Sequence, residues 1–297
     1  MPEPADSPWT DAHPRDALKS HGLWAKKSLG QNFLVSPQDL DRIVEAAQVG
    51  ADEAVLEIGT GLGRLTARLA ARARRVVTVE IDAGLHALAA ANLRGLDNVV
   101  ALHADFLESK HRINPAVTDA ARAAAQDCGG VLQVVSNLPY GISSPATVDL
   151  LEWDPAPSRM CLTVQQEVAD RMAAPPGTAQ YGLLTVFMDY WAAVEKLFPL
   201  GRRAFWPVPD VDSTVVRIVR RPESRRTEGY DRFAEVARKL FTHRRKTLRR
   251  ALALAWDGRT ADEMLAALGM DPAMRVEQLG VADLEAIAAA APGSPRD

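Results

Sequence analysis

The sequence predicts a doubly wound α/β domain with a mostly parallel sheet, followed by a small all-helical domain. Short apolar runs alternate with Ala- and Leu-rich helical segments up to about residue 219, and only helical patterns follow. The runs show no alternation of polar and apolar residues, which is typical of parallel strands buried on both faces. A hydrophobic content of 47% and a charged content of 25% agree with an ordinary globular protein.

Each run of β-branched residues predicts one strand, and the segments between the runs have helical spacing. The first strands are predicted at 54–59, 75–81, 98–104, 131–137 and 159–165. Segments 185–200 and 213–219 predict two last strands joined as a hairpin. Helices are predicted at 63–73 and 83–93, and in the C-terminal part at 233–256, 260–269 and 281–291.

Composition divides the chain into three parts. Residues 1–22 are polar and Pro-rich and predict a disordered leader, residues 23–220 predict the α/β domain, and residues 221–297 predict the helical domain, which begins with a charged linker. No apolar run approaches the ~20 residues that span a bilayer, and no signal peptide is evident. Cys128 and Cys161 have no metal-ligand neighbours, so we expect a cytoplasmic protein without a metal site or disulfide.

Glycines between the first strand and the next helix predict a ligand site. Gly59, Gly61 and Gly63 let the backbone approach a ligand closely, and the helix start offers free N–H groups. Their G-x-G-x-G spacing differs from the dinucleotide fingerprint. Glu57 also argues against a dinucleotide-dependent dehydrogenase, because a carboxylate repels pyrophosphate and suits a cationic ligand.

Acidic residues end the next two strands. Glu80 lies where an acid binds ribose hydroxyls, and Asp105 is placed to accept a hydrogen bond from an exocyclic amine. A nucleoside with a positive, amino-acid-like tail satisfies the glycines and the acids together. The pattern therefore predicts S-adenosylmethionine as the cofactor.

The fourth strand ends in the tetrapeptide Asn137, Leu138, Pro139, Tyr140. The Asn137 side-chain oxygen and the Leu138 carbonyl are predicted to accept the two N–H bonds of an adenine amine, which favours a lone pair directed at the methyl donor. Pro139 stiffens the turn and has no competing N–H, and Tyr140 is predicted to stack on the base. The alternative is an ordinary Asx-type turn with a core tyrosine.

Positive charge is concentrated in one segment, although the whole chain carries a net charge of −3. Between residues 220 and 250 lie twelve Lys and Arg and four acidic residues. Within the predicted helix, Arg245 with Arg249 and Lys246 with Arg250 have i,i+4 spacing, a like-charge arrangement that a phosphate backbone would stabilise. The alternative is a solvated charged face.

The chain resembles the bacterial small-subunit ribosomal RNA adenine-N6 dimethyltransferases from about residue 23 to residue 290. The segments that carry the resemblance are KKSLGQNFL (26–34), EIGTGLG (57–63), VEID (79–82), AD (104–105), NLPYGISSP (137–145), VQQEVADRM (164–172), YGLLTV (181–186), FWPVPDVDS (205–213) and FTHRRKTLRRAL (241–252). The resemblance implies a Rossmann-like, S-adenosylmethionine-dependent methyltransferase domain. It also implies two adjacent N6,N6-dimethyladenosines in the 3′-terminal hairpin of 16S rRNA as the product.

The resemblance assigns roles to individual residues. For the methyl donor it implies Asn32, Leu34, Gly59, Gly61, Glu80, Asp105 and Asn137. For the target adenine it implies Asn137, Leu138 and Tyr140, with Phe205 on the other face of the base. For RNA phosphates we expect Lys26, Lys27, Arg244, Arg245, Lys246, Arg249 and Arg250. The expected partner is 16S rRNA within the small ribosomal subunit or its precursor, and the expected state is a monomer.

The chain departs from the family pattern in places, and other functions remain open. Thr60 stands where the family usually has Pro, Gly141 where Asn is commoner, and the segment 114–130 is long. One alternative is a 23S rRNA adenine methyltransferase of the macrolide-resistance type, which Leu138 and the basic segment disfavour. Another is a non-catalytic RNA-binding assembly factor, which the presence of Glu80, Asp105 and Asn137 disfavours.

Overall fold

The computed structural model describes residues 12–109, 112–221 and 229–295. Two compact units make up the chain: Met1–Ala169 with Glu195–Arg220, and Asp170–Val194 with Arg221–Asp297. Segment 170–194 therefore belongs to the helical unit, whereas the sequence pattern places it in the α/β domain. The reason is aromatic packing inside the second unit, where the Tyr190 ring stacks on Phe233 at a centroid distance of 4.4 Å.

The first unit is built on a seven-stranded sheet. The strands of the described residues, including those of two smaller sheets, are β1 (Phe33–Leu34), β2 (Ala54–Ile58), β3 (Arg75–Glu80), β4 (Val99–His103), β5 (Leu107–Ser109), β6 (Arg112–Ile113), β7 (Leu132–Asn137), β8 (Arg159–Gln165), β9 (Ala192–Leu200), β10 (Phe205–Trp206) and β11 (Ser213–Arg220). The main sheet has the order β4-β3-β2-β7-β8-β11-β9, and β1 with β10 and β5 with β6 form two-stranded sheets. The predicted mostly parallel α/β fold is confirmed.

Helices cover both faces of this sheet. The helices of the chain are α1 (Pro14–Ser20), α2 (Pro37–Ala47), α3 (Arg64–Ala70), α4 (Ala83–Asn92), α5 (Pro115–Asp127), α6 (Ser143–Glu152), α7 (Gln166–Met172), α8 (Leu183–Trp191), α9 (Tyr230–Phe241), α10 (Leu248–Ala255), α11 (Gly258–Leu268) and α12 (Val281–Ala290). Strands β2 and β3 are almost wholly buried, as expected for strands covered on both faces. No helix in the described ranges is long and apolar enough to cross a membrane.

The order of the strands changes direction at the centre of the sheet, between the paired strands β2 and β7. From β2 the chain moves outward through β3 and β4, and it then returns to β7 on the other side of β2. The connections leave in opposite directions at β2 and β7, which are parallel neighbours. A crevice therefore opens beyond their carboxyl ends, where ligands bind in open α/β sheets.

Two predictions for the first unit are wrong in part. Residues 14–20 of the expected disordered leader form α1, because Pro14 starts the helix and the apolar Leu18 is fully buried against Leu62 and Leu85. Residues 1–11 of that leader lie outside the described residues. The predicted strand at 185–200 is helix α8 up to Trp191 and strand β9 from Ala192. Six of the nine residues of α8 are buried, and periodicity alone does not distinguish such a buried helix from a buried strand.

The second unit is helical, as predicted, but its basic segment is not one helix. The chain leaves α9 after Phe241 and re-enters a helix only at Leu248, with Thr247 at the N-cap. The expected i,i+4 pairs of residues 245 with 249 and 246 with 250 therefore do not form on one helix. Asp257 caps α11 by accepting from the Thr260 N–H, and Gly269 ends it in the left-handed conformation. Part of the predicted linker, residues 222–228, lies outside the described residues.

Candidate active site

A cleft lies at the carboxyl ends of the central strands, where the topology places it. It is an open cleft, and the space between its walls, open solvent included, is about 700 Å³. Its walls come from five segments of the chain: residues Leu29, Gly30, Gln31, Asn32, Phe33, Ile58, Gly59, Gly61, Val79, Glu80, Ile81, Leu85, Ala104, Asp105, Phe106, Asn137, Leu138, Pro139, Tyr140 and Ile142.

The glycine turn after β2 forms the floor of the cleft. Gly59 has φ +84° and Gly61 has φ +57°, conformations that L side chains rarely adopt. A Cβ on Gly61 would lie 3.3 Å from the ring of Phe33. The absence of a side chain at Gly61 therefore lets the Phe33 ring pack closely against the turn, and both residues line the cleft.

Glu80 ends β3 and faces the same turn. Its Oε2 accepts the Gly61 N–H at 2.9 Å, and its Oε1 accepts the Asp82 N–H at 2.9 Å. Burial raises the pKa of Glu80, and these main-chain bonds oppose the shift. Two fixed N–H donors hold the carboxyl group in one orientation, with its outer lone pairs toward the cleft.

Asp82 ties the N-terminal segment to the cleft. Lys26 Nζ lies 2.7 Å from Asp82 Oδ2, and Gln31 Nε2 donates to the same oxygen at 3.3 Å. Burial raises the pKa of Asp82, but the bonds from Lys26, Leu85, Gln31 and Gly84 together lower it. An ion pair thus fixes the segment that contributes Leu29 to Phe33 to the cleft. Lys26, which the sequence analysis assigns to RNA phosphates, therefore has a structural partner in Asp82.

Asn137 ends β7 with its amide at the cleft wall. Its Nδ2 donates to the main-chain carbonyl of Asn32 at 2.9 Å. Its Oδ1 is buried and has no hydrogen-bond partner within the described part of the chain. A buried acceptor without a partner costs about 1–3 kcal/mol, so this atom is suited to a donor that a ligand brings.

Tyr140 and Leu138 complete this wall. The Tyr140 hydroxyl is 2.7 Å from Ser213 Oγ, which fixes the ring, and burial raises the pKa of the phenol. The Leu138 side chain is buried, and its N–H donates to the Thr163 carbonyl at 3.2 Å. Asp105 lies at the opposite side, with Oδ1 bound to the Leu107 N–H at 3.1 Å.

The structure does not bring every predicted residue to the cleft. Leu34 and Phe205 are buried in the hydrophobic core and do not line the cleft. They belong to the paired strands β1 and β10, in which neighbouring side chains point to opposite faces. Glu57 is 1% exposed and lies behind the turn, so it is not a direct ligand of a cation in the cleft.

Sequence reasoning also missed residues that the cleft contains. Phe33, Ile81 and Phe106 supply apolar walls, and Gln31 positions the N-terminal segment. Ile81 is 44% exposed in the structure. In the sequence, the available signal was an apolar residue between two acids, Glu80 and Asp82, at a strand end. No cluster of potential metal ligands occurs within residues 12–109, 112–221 and 229–295.

The basic residues of the second unit have different surroundings. Arg244 Nη1 donates to the Tyr181 carbonyl at 2.9 Å, and Arg249 forms a two-pronged pair with Asp262 at 2.7 and 2.9 Å. Both arginines therefore have structural partners. Arg245, Lys246 and Arg250 are exposed, and so is Arg249 at 52%, although Arg249 is paired with Asp262.

The fold and the cleft are those of a doubly wound α/β protein with a ligand cleft at the carboxyl edge of its sheet. The "Ribosomal RNA adenine dimethylase" family matches residues 22–291. The chain therefore belongs to the ribosomal RNA adenine dimethylase family. This confirms the predicted family and enzyme class.

Similar proteins and solved structures support membership of this family. Ribosomal RNA small subunit methyltransferase A of Pelotomaculum thermopropionicum is 39% identical, over 92% of this chain and 94% of that protein. The protein of the same name from Thermobifida fusca is 38% identical, over 94% of each. Among solved structures, a dimethyladenosine transferase from Plasmodium falciparum has 26% identity and a TM-score of 0.73, covering 86% of this chain and 95% of that one. The 23S rRNA methyltransferase ErmE has 27% identity and a TM-score of 0.65, covering 88% and 100%.

Proposed function

We propose that this protein dimethylates the N6 amines of two adjacent adenosines in the 3′-terminal hairpin loop of 16S rRNA, with S-adenosylmethionine as the donor. It acts in the cytoplasm as a monomer during maturation of the small ribosomal subunit. Relatives with 38–39% identity named for small-subunit rRNA support this substrate over 23S rRNA, for which ErmE has 27% identity. The observation that carries the proposal is the buried, unpartnered Asn137 Oδ1 at the cleft wall.

The cleft fits the donor by the chemistry of its walls. Glu80 would accept hydrogen bonds from the ribose hydroxyls, and Asp105 would accept one from the adenine amine. The glycine turn at Gly59 and Gly61 would lie against the amino-acid tail. Ile81 supplies an apolar face for the adenine ring. When bound, S-adenosylmethionine supplies a methyl group made electrophilic by the sulfonium.

Asn137 and Leu138 act on the target base. The N6 amine of adenine is a weak nucleophile, because its lone pair is delocalised into the ring. In the first transfer Asn137 Oδ1 and the Leu138 carbonyl accept hydrogen bonds from its two N–H groups, which favours a pyramidal nitrogen whose lone pair leaves the ring plane. In the second transfer the methylated amine has one N–H, which one of these oxygens accepts. In each transfer the nitrogen gains a methyl group and loses one proton, which passes to the solvent that the cleft admits. The oxygen of Asn137 is held in place before the base arrives, so little reorganisation accompanies the reaction.

Tyr140 is a stacking surface rather than a base. Because burial raises the pKa of its phenol, the hydroxyl stays neutral at physiological pH, and its bond to Ser213 orients the ring. The base must leave any helical stack to reach this ring, which costs a few kcal/mol and favours a loop over a duplex.

The exposed cations of the second unit bind RNA phosphates. Arg245, Lys246 and Arg250 project into solvent, and Lys27 is exposed in the segment that borders the cleft. Such contacts position the RNA, whereas the cleft selects the base.

Methylation of isolated subunits tests the proposal. Small subunits prepared from cells that lack this activity should accept four methyl groups, and mass spectrometry should place them on two adjacent adenosines near the 3′ end. Large subunits prepared in the same way serve as the control and should accept none. Methyl transfer to 23S rRNA alone would overturn the assignment to the small subunit.

A further inference from the structure

A buried chain of hydroxyl groups joins Glu57 to the glycine turn. Thr66 Oγ1 and Thr78 Oγ1 lie 2.5 Å and 2.9 Å from Glu57 Oε2. Thr60 Oγ1, in the turn itself, lies 2.7 Å from Thr78 Oγ1. All four side chains are 4% exposed or less, so water does not compete for these bonds.

The direction of each hydrogen bond follows from counting protons. A threonine hydroxyl has one proton, and Thr78 donates its proton to Glu57. In the bond between Thr60 and Thr78, Thr60 must therefore be the donor. The chain thus runs in one direction, from the turn to Glu57, and its orientation depends on Glu57 as the final acceptor.

Strand β3 holds the turn through three successive residues. The Thr78 hydroxyl accepts from Thr60, and the Val79 carbonyl accepts the Gly59 N–H at 2.8 Å and the Thr60 N–H at 3.3 Å. The Glu80 carboxyl group accepts the Gly61 N–H. Proline, which the family resemblance favours at position 60, has neither an N–H nor a hydroxyl and would lose two of these bonds.

Burial favours the uncharged form of Glu57, whose proton is then on Oε1, because Oε2 accepts from both Thr66 and Thr78. Burial raises its pKa to about 8, the bonds from Thr66 and Thr78 oppose the shift, and the nearby Glu80 adds to it. The charged residue that α3 contributes to this region, Arg64, donates to the carbonyls of Leu34 and Val35. A neutral acid does not attract a cation, so the sequence-based role of Glu57 as a partner for a positive ligand does not apply.

We propose that Glu57 is a positioning residue that acts through Thr78 and Thr60 to hold the glycine turn in the form that binds the methyl donor. It does so without touching the donor. This inference rests on the proposed function and concerns the same site.

Donor affinity, measured by isothermal titration with S-adenosylmethionine at pH 7, tests the inference. Thr78→Val and Thr60→Val each remove one link, and each should weaken binding about fivefold to tenfold, the effect of one lost buried hydrogen bond. Glu57→Leu removes the final acceptor and should weaken binding as much as Thr78→Val does. Glu57→Gln keeps an acceptor oxygen without charge and should restore affinity to within about twofold of the unsubstituted protein, because the charge is not used. Thr60→Ser restores the hydroxyl and should bind normally.

Thr163→Val is the matched control. Thr163 is a fully buried strand threonine like Thr78, but its hydroxyl has no partner in the ranges described, so its removal should leave donor affinity unchanged. Equal binding by the Thr78, Thr60 and Thr163 variants would overturn the inference and leave the proposed function intact. A tenfold loss in Glu57→Gln would overturn it as well, by showing that the charge matters. Absence of binding by the unsubstituted protein would overturn both. If Thr78→Val does not fold, Thr60→Val cuts the same chain at its turn end.

Discussion

The side-chain Nδ2 of Asn137 donates to the main-chain carbonyl of Asn32 at 2.9 Å, across 105 positions of sequence. A carbonyl oxygen only accepts, so the amide nitrogen must face Asn32, and the amide oxygen must take the other side. The orientation of the proposed catalytic oxygen is therefore set by the N-terminal segment. Two motifs that are remote in sequence form one functional unit.

Removal of this oxygen should slow transfer more than it weakens binding. Asn137→Ala is expected to lower the single-turnover methylation rate on the order of 10²-fold, because an interaction made mainly in the transition state is lost. Donor affinity, measured separately by titration, should change far less.

Asn98→Ala is the control for that experiment. The Asn98 amide also donates to main-chain carbonyls, those of Ala70 and Ala73 at 2.8 and 3.0 Å, but it lies outside the cleft. It should lose stability without loss of rate per folded molecule. A normal rate for Asn137→Ala would rule out the amide as a catalytic group.

Much of the fold and part of the site could be predicted from the sequence. Continuous apolar runs predicted β2, β3 and β7, and the polar residues at the ends of these runs indicated the carboxyl edge of the sheet. Glu80, Asp105 and Asn137 meet at one cleft because parallel strands end on the same side. That inference requires only strand direction, which the alternation of strands and helices supplies.

The remaining features depend on contacts that the sequence does not encode locally. Leu34 and Phe205 carry family motifs, yet the pairing of β1 with β10 directs both side chains into the core. The break between α9 and α10 follows from Leu248 N–H bonding to the Met274 carbonyl, a contact with a distant segment. Periodicity alone does not detect such a competitor for the helical hydrogen bonds.

The buried acid should make stability depend on pH in a predictable direction. The pKa of Glu57 is raised from 4.5 to about 8 in the folded state, so folding takes up a proton between these values. The stability that this proton contributes is complete below pH 4.5 and is lost as pH rises toward 8. For this group alone the slope is about 1.4 kcal/mol per pH unit.

Glu57→Gln removes the titratable group, so comparison with the unsubstituted protein measures how much Glu57 contributes to the pH dependence of the free energy of unfolding. The difference in free energy of unfolding between the variant and the unsubstituted protein should shift in favour of the variant as pH rises from 5 to 8, and should level off above 8. Urea unfolding at each pH provides the measurement. A difference that stays constant over this range would mean that Glu57 has an ordinary pKa.

The exposed cations predict a specific salt dependence of RNA binding. Replacement of Arg245, Lys246 and Arg250 together by Gln should weaken binding to a hairpin RNA and reduce the slope of log K against log salt by about two to three, because each phosphate contact contributes roughly 0.7–0.9. Fluorescence anisotropy over a range of salt concentrations measures this slope.

Neighbouring arginines separate this effect from net charge. Arg259 is 89% exposed on α11 and pairs with Glu263, so Arg259→Gln should leave the slope unchanged. Arg249→Gln should change the slope less than substitution of Arg245, Lys246 or Arg250 does, because Asp262 already pairs with Arg249. An unchanged slope in the triple variant would contradict the phosphate contacts.

The bond between Tyr140 and Ser213 predicts a coupled pair of variants. Tyr140→Phe and Ser213→Ala each break the 2.7 Å contact that fixes the ring, and each should lower the methylation rate about fivefold. Because both remove the same interaction, the double variant should be no slower than either one. Tyr140→Ala removes the stacking surface and should also raise the KM for RNA. The expected rise corresponds to the loss of about 1–3 kcal/mol of binding free energy, which stacking on an aromatic ring contributes per base. Multiplied losses in the double variant would show that the two hydroxyls act separately, and that Ser213 does not position the ring.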